Sequence, residues 1–141
     1  MKKKQFFLAL VAKIERLILR LGKCQERGGK SSVINSDVIR KVEEWILQKK
    51  WLEDKSMAET AREIGISKEL LSLYFRCIVK KSFLHWRKEM RIAEAKKLLL
   101  EERSTPLLIV AESVGIGDKS NFRKQFKEVA GCTPTEWRLK H

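Results

Sequence analysis

Two stretches of this 141-residue chain repeat each other at an offset of 50 residues, and no other feature constrains the fold as much. "TAREIGISKELLSLYFR" (60–76) aligns with "VAESVGIGDKSNFRKQFK" (110–127). Ala61 matches Ala111, Ile64 matches Val114, and Gly65–Ile66 matches Gly115–Ile116. The second copy has one extra residue after the glycine, so Leu71 pairs with Phe122 and Phe75 with Phe126. Each copy reads as helix, glycine turn, helix: a small alanine permits close crossing and the glycine supplies the sharp bend. The apolar pairs four residues apart hold the second helix on the first and turn its polar residues outward.

The rest of the body also reads as helix, with no alternating strand pattern. Asp37–Lys50 places Val38, Ile39, Val42, Trp45 and Ile46 on one face. Ser56 and Glu59 form a capping box for a helix to Ile64. Gly65 stops that helix, and Ser67 caps the next, which runs to about Cys77. Ser82 starts a long helix to about Leu100. Thr105 followed by Pro106 predicts a cap with proline at the first helical position, for a helix ending at Gly115. Asp118 and Gly131 bracket the following helix. Thr133, Pro134 and Glu136 then open a final turn carrying Trp137 and Arg138. Seven or eight helices and no sheet make the expected class all-α. Gly115-x-Gly117 is no phosphate cradle, because the residues before it are helical and no third glycine or lysine–serine pair completes the motif.

Charge narrows the partner. Thirty-one Lys+Arg against 18 Asp+Glu give +13, which points to a polyanion: nucleic acid first, an acidic membrane surface second. Residues 1–35 hold nine basic and two acidic side chains, so the leader is strongly basic and the body moderately so. "MKKKQFFLALVAK" imitates a signal peptide, but its apolar run ends at Lys13, without a small-residue cleavage site and far too short to span a bilayer. Phe7, Leu10, Ile14, Leu17, Ile18 and Leu21 recur at helical spacing between basic residues. We therefore expect a basic amphipathic helix over residues 1–21. "CQERGGKSSVINS" (24–36) reads as a linker. The expected domains are 1–35 for helix and linker and 36–138 for the body. Within the body lie a first helix-turn-helix at 56–77, a linker helix at 83–100 and a second helix-turn-helix at 105–130.

Enzyme chemistry finds no support. Cys24, Cys77 and Cys132 are odd in number and far apart, so no disulfide framework is expected and a reducing cytoplasm fits. His85 and His141 are the only histidines, and neither stands near two cysteines in sequence, so neither a metal nor a cofactor is expected. No nucleophile–base–acid spacing occurs.

From Ser56 to Arg138 the chain resembles the DNA-binding domain of the AraC/XylS family. The matching residues are Ala61, Gly65, Ser67, Leu71 and Phe75 in the first unit, and Arg91, Ala95 and Leu98–Leu99 in "RIAEAKKLL". In the second unit they are Ala111, Gly115, Asp118, Ser120, Phe122, Phe126 and Lys127, followed by the closing signature "GCTPTEWR". The chain departs from the pattern at Ile116, where phenylalanine is usual, and at Gly117. The resemblance implies two helix-turn-helix units flanking a linker helix, binding to asymmetric promoter sites and contact with RNA polymerase. Many members carry a β-barrel effector domain, for which 141 residues leave no room. The expectation is a small single-module member of the MarA type, working as an activator in the bacterial cytoplasm at the nucleoid.

A recognition helix enters the major groove with its N-terminal half. In the second unit that places Lys119, Ser120, Asn121, Arg123 and Lys124 at base edges, where arginine or lysine pairs guanine and asparagine reads adenine. In the first unit the corresponding residues are Glu69, Ser72 and Leu73, with Leu73 suited to a thymine methyl. Candidate phosphate anchors are Lys68, Arg76, Lys80, Lys81, Lys127 and the capped turn at Thr133. The first set is poor in long donors, so base specificity leans on the second unit. Two alternatives stay open on sequence alone: a basic RNA-binding protein, and a protein that lies on a membrane surface through residues 1–21. A weak homodimer through the apolar stripe of residues 1–21 is also expected.

Overall fold

The computed structural model describes residues 34–141, and among them every regular element is helical. The expected basic helix at 1–21 and all but the last three residues of the expected linker (24–36) lie outside the described residues; Asn35 and Ser36 belong to the start of the first helix. Helix α1 (Ser36–Leu47) is followed by a 3-10 turn (Lys50–Leu52), α2 (Met57–Ile64) and α3 (Lys68–Tyr74). Helix α3 continues as a π turn (Phe75–Val79) before α4 (Phe83–Glu101), α5 (Leu107–Ser113), α6 (Lys119–Ala130) and α7 (Pro134–Lys140). Two helix-turn-helix units, α2–α3 and α5–α6, are thus joined by the long helix α4.

Local chemistry accounts for most of the boundaries. Capping boxes open α2 at Ser56/Glu59 and α7 at Thr133/Glu136. The side chains of Ser67, Ser82 and Asp118 accept from Leu70, His85 and Ser120 backbone amides. Asn35 does the same for Val38 and starts α1, a cap the pattern of apolar residues does not announce. Thr105 departs from expectation. Its hydroxyl donates to Glu102 (2.9 Å), and Pro106, with extended backbone at φ −58° and ψ 145°, takes the cap position so that α5 begins at Leu107. The first recognition helix also outruns its expected end at Cys77, because the π turn carries it to Val79, where Lys80 breaks it with φ 66°.

The internal repeat holds at the level of single hydrogen bonds. Ile66 N–H donates to Ala61 C=O at 3.0 Å, and Ile116 N–H donates to Ala111 C=O at 2.9 Å. Both bonds close the turn behind a glycine with positive φ, 86° at Gly65 and 79° at Gly115.

Two clusters of buried side chains divide the body. The first gathers Val42, Trp45, Trp51, Leu71, Phe75 and Phe83, with Trp86 and Met90 packed on it. The second gathers Ile92, Ala95, Leu99, Val110, Phe122 and Phe126. Helix α4 serves both, its first half one cluster and its second half the other. Leu52, in the 3-10 turn, packs against both clusters.

That turn is fastened by Arg91, which lies mid-way along α4 and is 6% exposed. Its Nε donates to Trp51 C=O at 2.9 Å and its Nη2 to Glu53 C=O at 2.6 Å. Burial, and then the neighbouring Arg87, push the guanidinium down to about 10, so it stays protonated at neutral pH. The carbonyl between those two, Leu52 C=O, faces Gly115: a Cβ there would stand 2.1 Å from the oxygen.

The two turn glycines therefore predict different costs. Gly65→Ala has nothing within 4 Å of the new methyl and carries only the left-handed penalty, about 1–2 kcal/mol. Gly115→Ala adds a collision with backbone that cannot rotate away, roughly 1–3 kcal/mol more. Urea unfolding of both variants checks this, and equal losses would show that the Leu52 carbonyl can yield.

Candidate nucleic-acid interface

In α6, Phe122 and Phe126 are fully buried and define the inward side. At about 100° per residue, Ser120 and Lys124 point almost directly away from them, with Lys127 and Glu128 beside. Asn121 and Arg123 flank this line on opposite sides. The five expected base contacts therefore spread around the exposed arc of the helix. Lys119, Ser120, Asn121, Arg123 and Lys124 are all exposed. Asn121 accepts a hydrogen bond from Gln125 Nε2 at 3.2 Å.

The side of α6 that carries Asn121, Lys124, Gln125 and Glu128 faces α4 across an open groove of about 410 Å³. The spacing i, i+3, i+4, i+7 makes these four one stripe. His85 and Lys88 line the opposite wall, and Lys88 Nζ reaches Glu128 Oε2 at 3.2 Å. Gln125, Glu128 and Lys88 are absent from the sequence-based set. The helical spacing of the first two was legible, but the partner wall from α4 was not.

The first unit presents a different face. Lys68, Glu69 and Arg76 are exposed and Ser72 is half-buried. Leu73 is a correction: although it lies on the side of α3 turned away from Leu71 and Phe75, it is only 2% exposed, so its side chain is withheld from a thymine methyl. Cys77, one turn further, is buried at 6%. Neither belongs to the cluster around Phe75. The outward axis of α3 is thus left with an acid, Glu69, and the cation Arg76.

Among the phosphate candidates, Lys68, Arg76, Lys80 and Lys127 are exposed. Lys81 is exposed but held at 2.6 Å by Glu89, whose carboxyl is lowered below its usual range by that contact. Thr133 is weaker as an anion site than expected. Its N–H already donates to Glu136 (3.1 Å), and its hydroxyl accepts from Glu136 N–H (3.2 Å).

Ion pairs engage many cations of the body. Arg40, Lys41, Lys49, Lys50, Lys55, Lys81, Lys88 and Lys97 each pair with a carboxylate. Lys68, Arg76, Lys119, Arg123, Lys124 and Lys127, on the second helix of each unit, make no ion pair among the described residues. Unpaired, exposed cations on two helices are what a polyanion needs. The described aromatic rings do not offer a stacking surface: Trp45, Trp51, Tyr74, Phe75, Phe83, Phe122 and Phe126 are buried, and Trp86 and Trp137 are half-buried. Among the described residues no group of His, Cys, Asp and Glu could hold a metal ion, and no helix is long and apolar enough to cross a membrane.

Comparison with known proteins decides the family. A helix-turn-helix domain family matches residues 60–140, more than half of the chain. The chain belongs to the AraC/XylS family of helix-turn-helix regulators. It is 37% identical over 82 residues to the arabinose operon regulatory protein of Escherichia coli, covering 58% of this chain and 28% of that one. It is 35% identical over 112 residues to the virulence regulon transcriptional activator VirF of Shigella flexneri, covering 79% and 40%. The chain therefore spans well under half the length of these relatives. The DNA-binding domain of the global transcriptional factor AdpA, solved in complex with a target DNA, superposes with a TM-score of 0.65 at 21% identity, over 75% of this chain and 93% of that one; it shares the fold.

The geometry of α6 ranks its residues. On a duplex the chain selects, Lys124→Ala is expected to relax preference at one base pair by roughly 1–3 kcal/mol. Arg123→Ala, on the flank, is expected to weaken matched and scrambled duplexes alike. Titrating both variants against both duplexes checks the ranking, and the reverse pattern overturns it.

Proposed function

We propose that this chain is a sequence-specific, double-stranded-DNA-binding transcription regulator that sets α3 and α6 into two adjacent major-groove segments. The observation that carries it is the pairing of two repeat units, each with unpaired cations on its second helix, on one shared helix and one shared junction. The 19 residues of α4 extend ~28 Å at about 1.5 Å per residue, close to the ~34 Å of one DNA turn that separates successive major-groove segments on one face. A rigid link of mismatched length favours bending of the duplex. The names of the relatives support the same reading, since they are an operon regulator and a transcriptional activator.

Within this proposal α6 supplies most of the sequence discrimination. Ser120 and Lys124 face the base edges, with Lys119 and Asn121 at the entry of the helix. Helix α3 contributes position more than reading, through Lys68 and Arg76 on phosphates, because Leu73 is buried and Glu69 repels the backbone. RNA polymerase is the proposed protein partner, and the bacterial cytoplasm, at the nucleoid, the proposed location. Residues 1–21 are proposed to join two copies weakly through their apolar stripe.

Binding to a selected duplex is expected to fall steeply with salt. About six neutralised phosphates give a log–log slope near roughly −5, measurable by fluorescence anisotropy over a tenfold salt range; a flat response overturns the reading. For the N-terminal stripe, sedimentation velocity of the full chain is expected to show a concentration-dependent dimer in the micromolar range. A chain starting at Ser36 is expected to stay monomeric. Two monomeric profiles reject the dimer.

A further inference from the structure

The groove between α4 and α6 has a chemistry that the two reading helices do not use. Its α6 wall includes Asn121 and Lys124, and Lys124 is among the residues facing most directly away from the buried phenylalanines. A duplex engaged by α6 therefore brings a sugar–phosphate rail to the mouth of the groove. On the α4 wall the deep arginines are already committed. Arg91 is spent on the Trp51 and Glu53 carbonyls, and Arg87 donates to Lys55 C=O while lying over the Phe83 ring. Lys88 is the long cation of that wall left to act, and in the free protein it is held by Glu128 across the gap.

Glu128 stands one helical turn beyond Lys124 on the reading helix, where a carboxylate meets the same phosphates and is repelled by them. Its side chain is 46% exposed and that of Lys88 is 28% exposed, so the pair is a surface ion pair and holds its lysine weakly. Phosphate is the stronger competitor: it carries a full charge, presents several acceptor oxygens, and releases counterions when a lysine replaces them.

We propose that Lys88 is a DNA-phosphate contact made by the linker helix, and that Glu128 is its built-in competitor. In the free chain the pair spans the groove. On the duplex Lys88 passes from Glu128 to a phosphate of the strand that runs between the two major-groove segments. The linker helix is then a third contact as well as a spacer, and Glu128 sets how much affinity it adds. This inference rests on the duplex-binding reading above.

The test uses the full chain and a duplex it selects from a random pool, with affinity measured across a salt series. Lys88→Gln is expected to lower affinity several-fold and to reduce the log–log salt slope by about 0.9, the share of one phosphate. Lys88→Arg is expected to keep the wild-type slope. Glu128→Gln is expected to raise affinity several-fold at low salt, and to raise it less when Lys88→Gln is also present. Thermal midpoints within a few degrees of wild type are expected for all the variants. An unchanged slope in Lys88→Gln, beside a salt-dependent wild type, overturns the phosphate contact. Weaker binding by Glu128→Gln overturns the competitor role and makes Glu128 a reading or positioning residue. A wild-type chain that binds no duplex overturns the functional reading itself, an outcome distinct from both.

Discussion

The geometry of both reading helices depends on one buried guanidinium. Arg91 comes from the middle of α4 and takes two backbone carbonyls of the segment that follows α1, with the Leu52 carbonyl between them pressed against Gly115. One short stretch, residues 51–53, therefore touches the first cluster, the linker helix and the turn of the second unit. A buried cation is costly unless its donors are satisfied. Here the planar fork of arginine suits the Trp51 and Glu53 carbonyls, two positions apart, and a lysine would present a point charge instead. Without this junction the units would share only α4, and a single helix leaves the roll of one unit about the other poorly fixed.

The same device recurs along the fold. Arg87, one turn before Arg91, donates to Lys55 C=O, and burial pushes its pKa down. At the other end Arg138 of α7 donates to Leu99 C=O at 3.3 Å and Thr105 C=O at 2.9 Å, fastening the last helix to the end of α4. Arg103 donates in turn to the Arg138 and His141 carbonyls. These arginines count toward the +13 of the chain yet are occupied in binding its own backbone. Net charge is therefore a poor measure of the surface offered to DNA; the pairing state of each cation is a better one. By that measure the offer includes the second helix of each unit and excludes the arginines bound to the backbone.

How much of this was legible in the sequence follows from the range of each interaction. Ser56 with Glu59, Ser67, Ser82, Asp118 and Thr133 with Glu136 act within three residues of themselves, so their caps could be read directly. The repeat was legible because Ala61/Ala111 and Gly65/Gly115 serve one local geometry twice. Arg91 marked the linker helix by family resemblance, but its bonds to residues 38 and 40 positions away have no local signature. The groove was hidden for the same reason: Lys88 and Glu128 are 40 positions apart. Leu73 misled for a different reason. Helical periodicity sets the direction of a side chain and says nothing of what lies against it, and an outward leucine reads as available until its exposure is known.

The two copies of the repeat have diverged in what they bury as much as in what they present. The first unit packs Trp45, Phe75, Phe83 and Trp86 ring against ring, with centroids 4.9–6.5 Å apart, and draws α1 into the same cluster. The second relies on Phe122 and Phe126, with Trp137 of α7 at their edge. The larger core goes with the poorer reading face, where Leu73 is buried and Glu69 is exposed. The leaner core goes with the helix that exposes Lys119, Ser120, Asn121, Arg123 and Lys124. Heavy aromatic packing and the attachment of α1 make the first unit the better foundation. The extra residue in the second turn, Gly117, leaves Asp118 to cap α6 two residues on, where Ser67 caps α3 three residues on. On the function proposed above, a duplicated motif in this way separates two tasks that one copy must combine: holding the scaffold on the DNA, and telling one sequence from another.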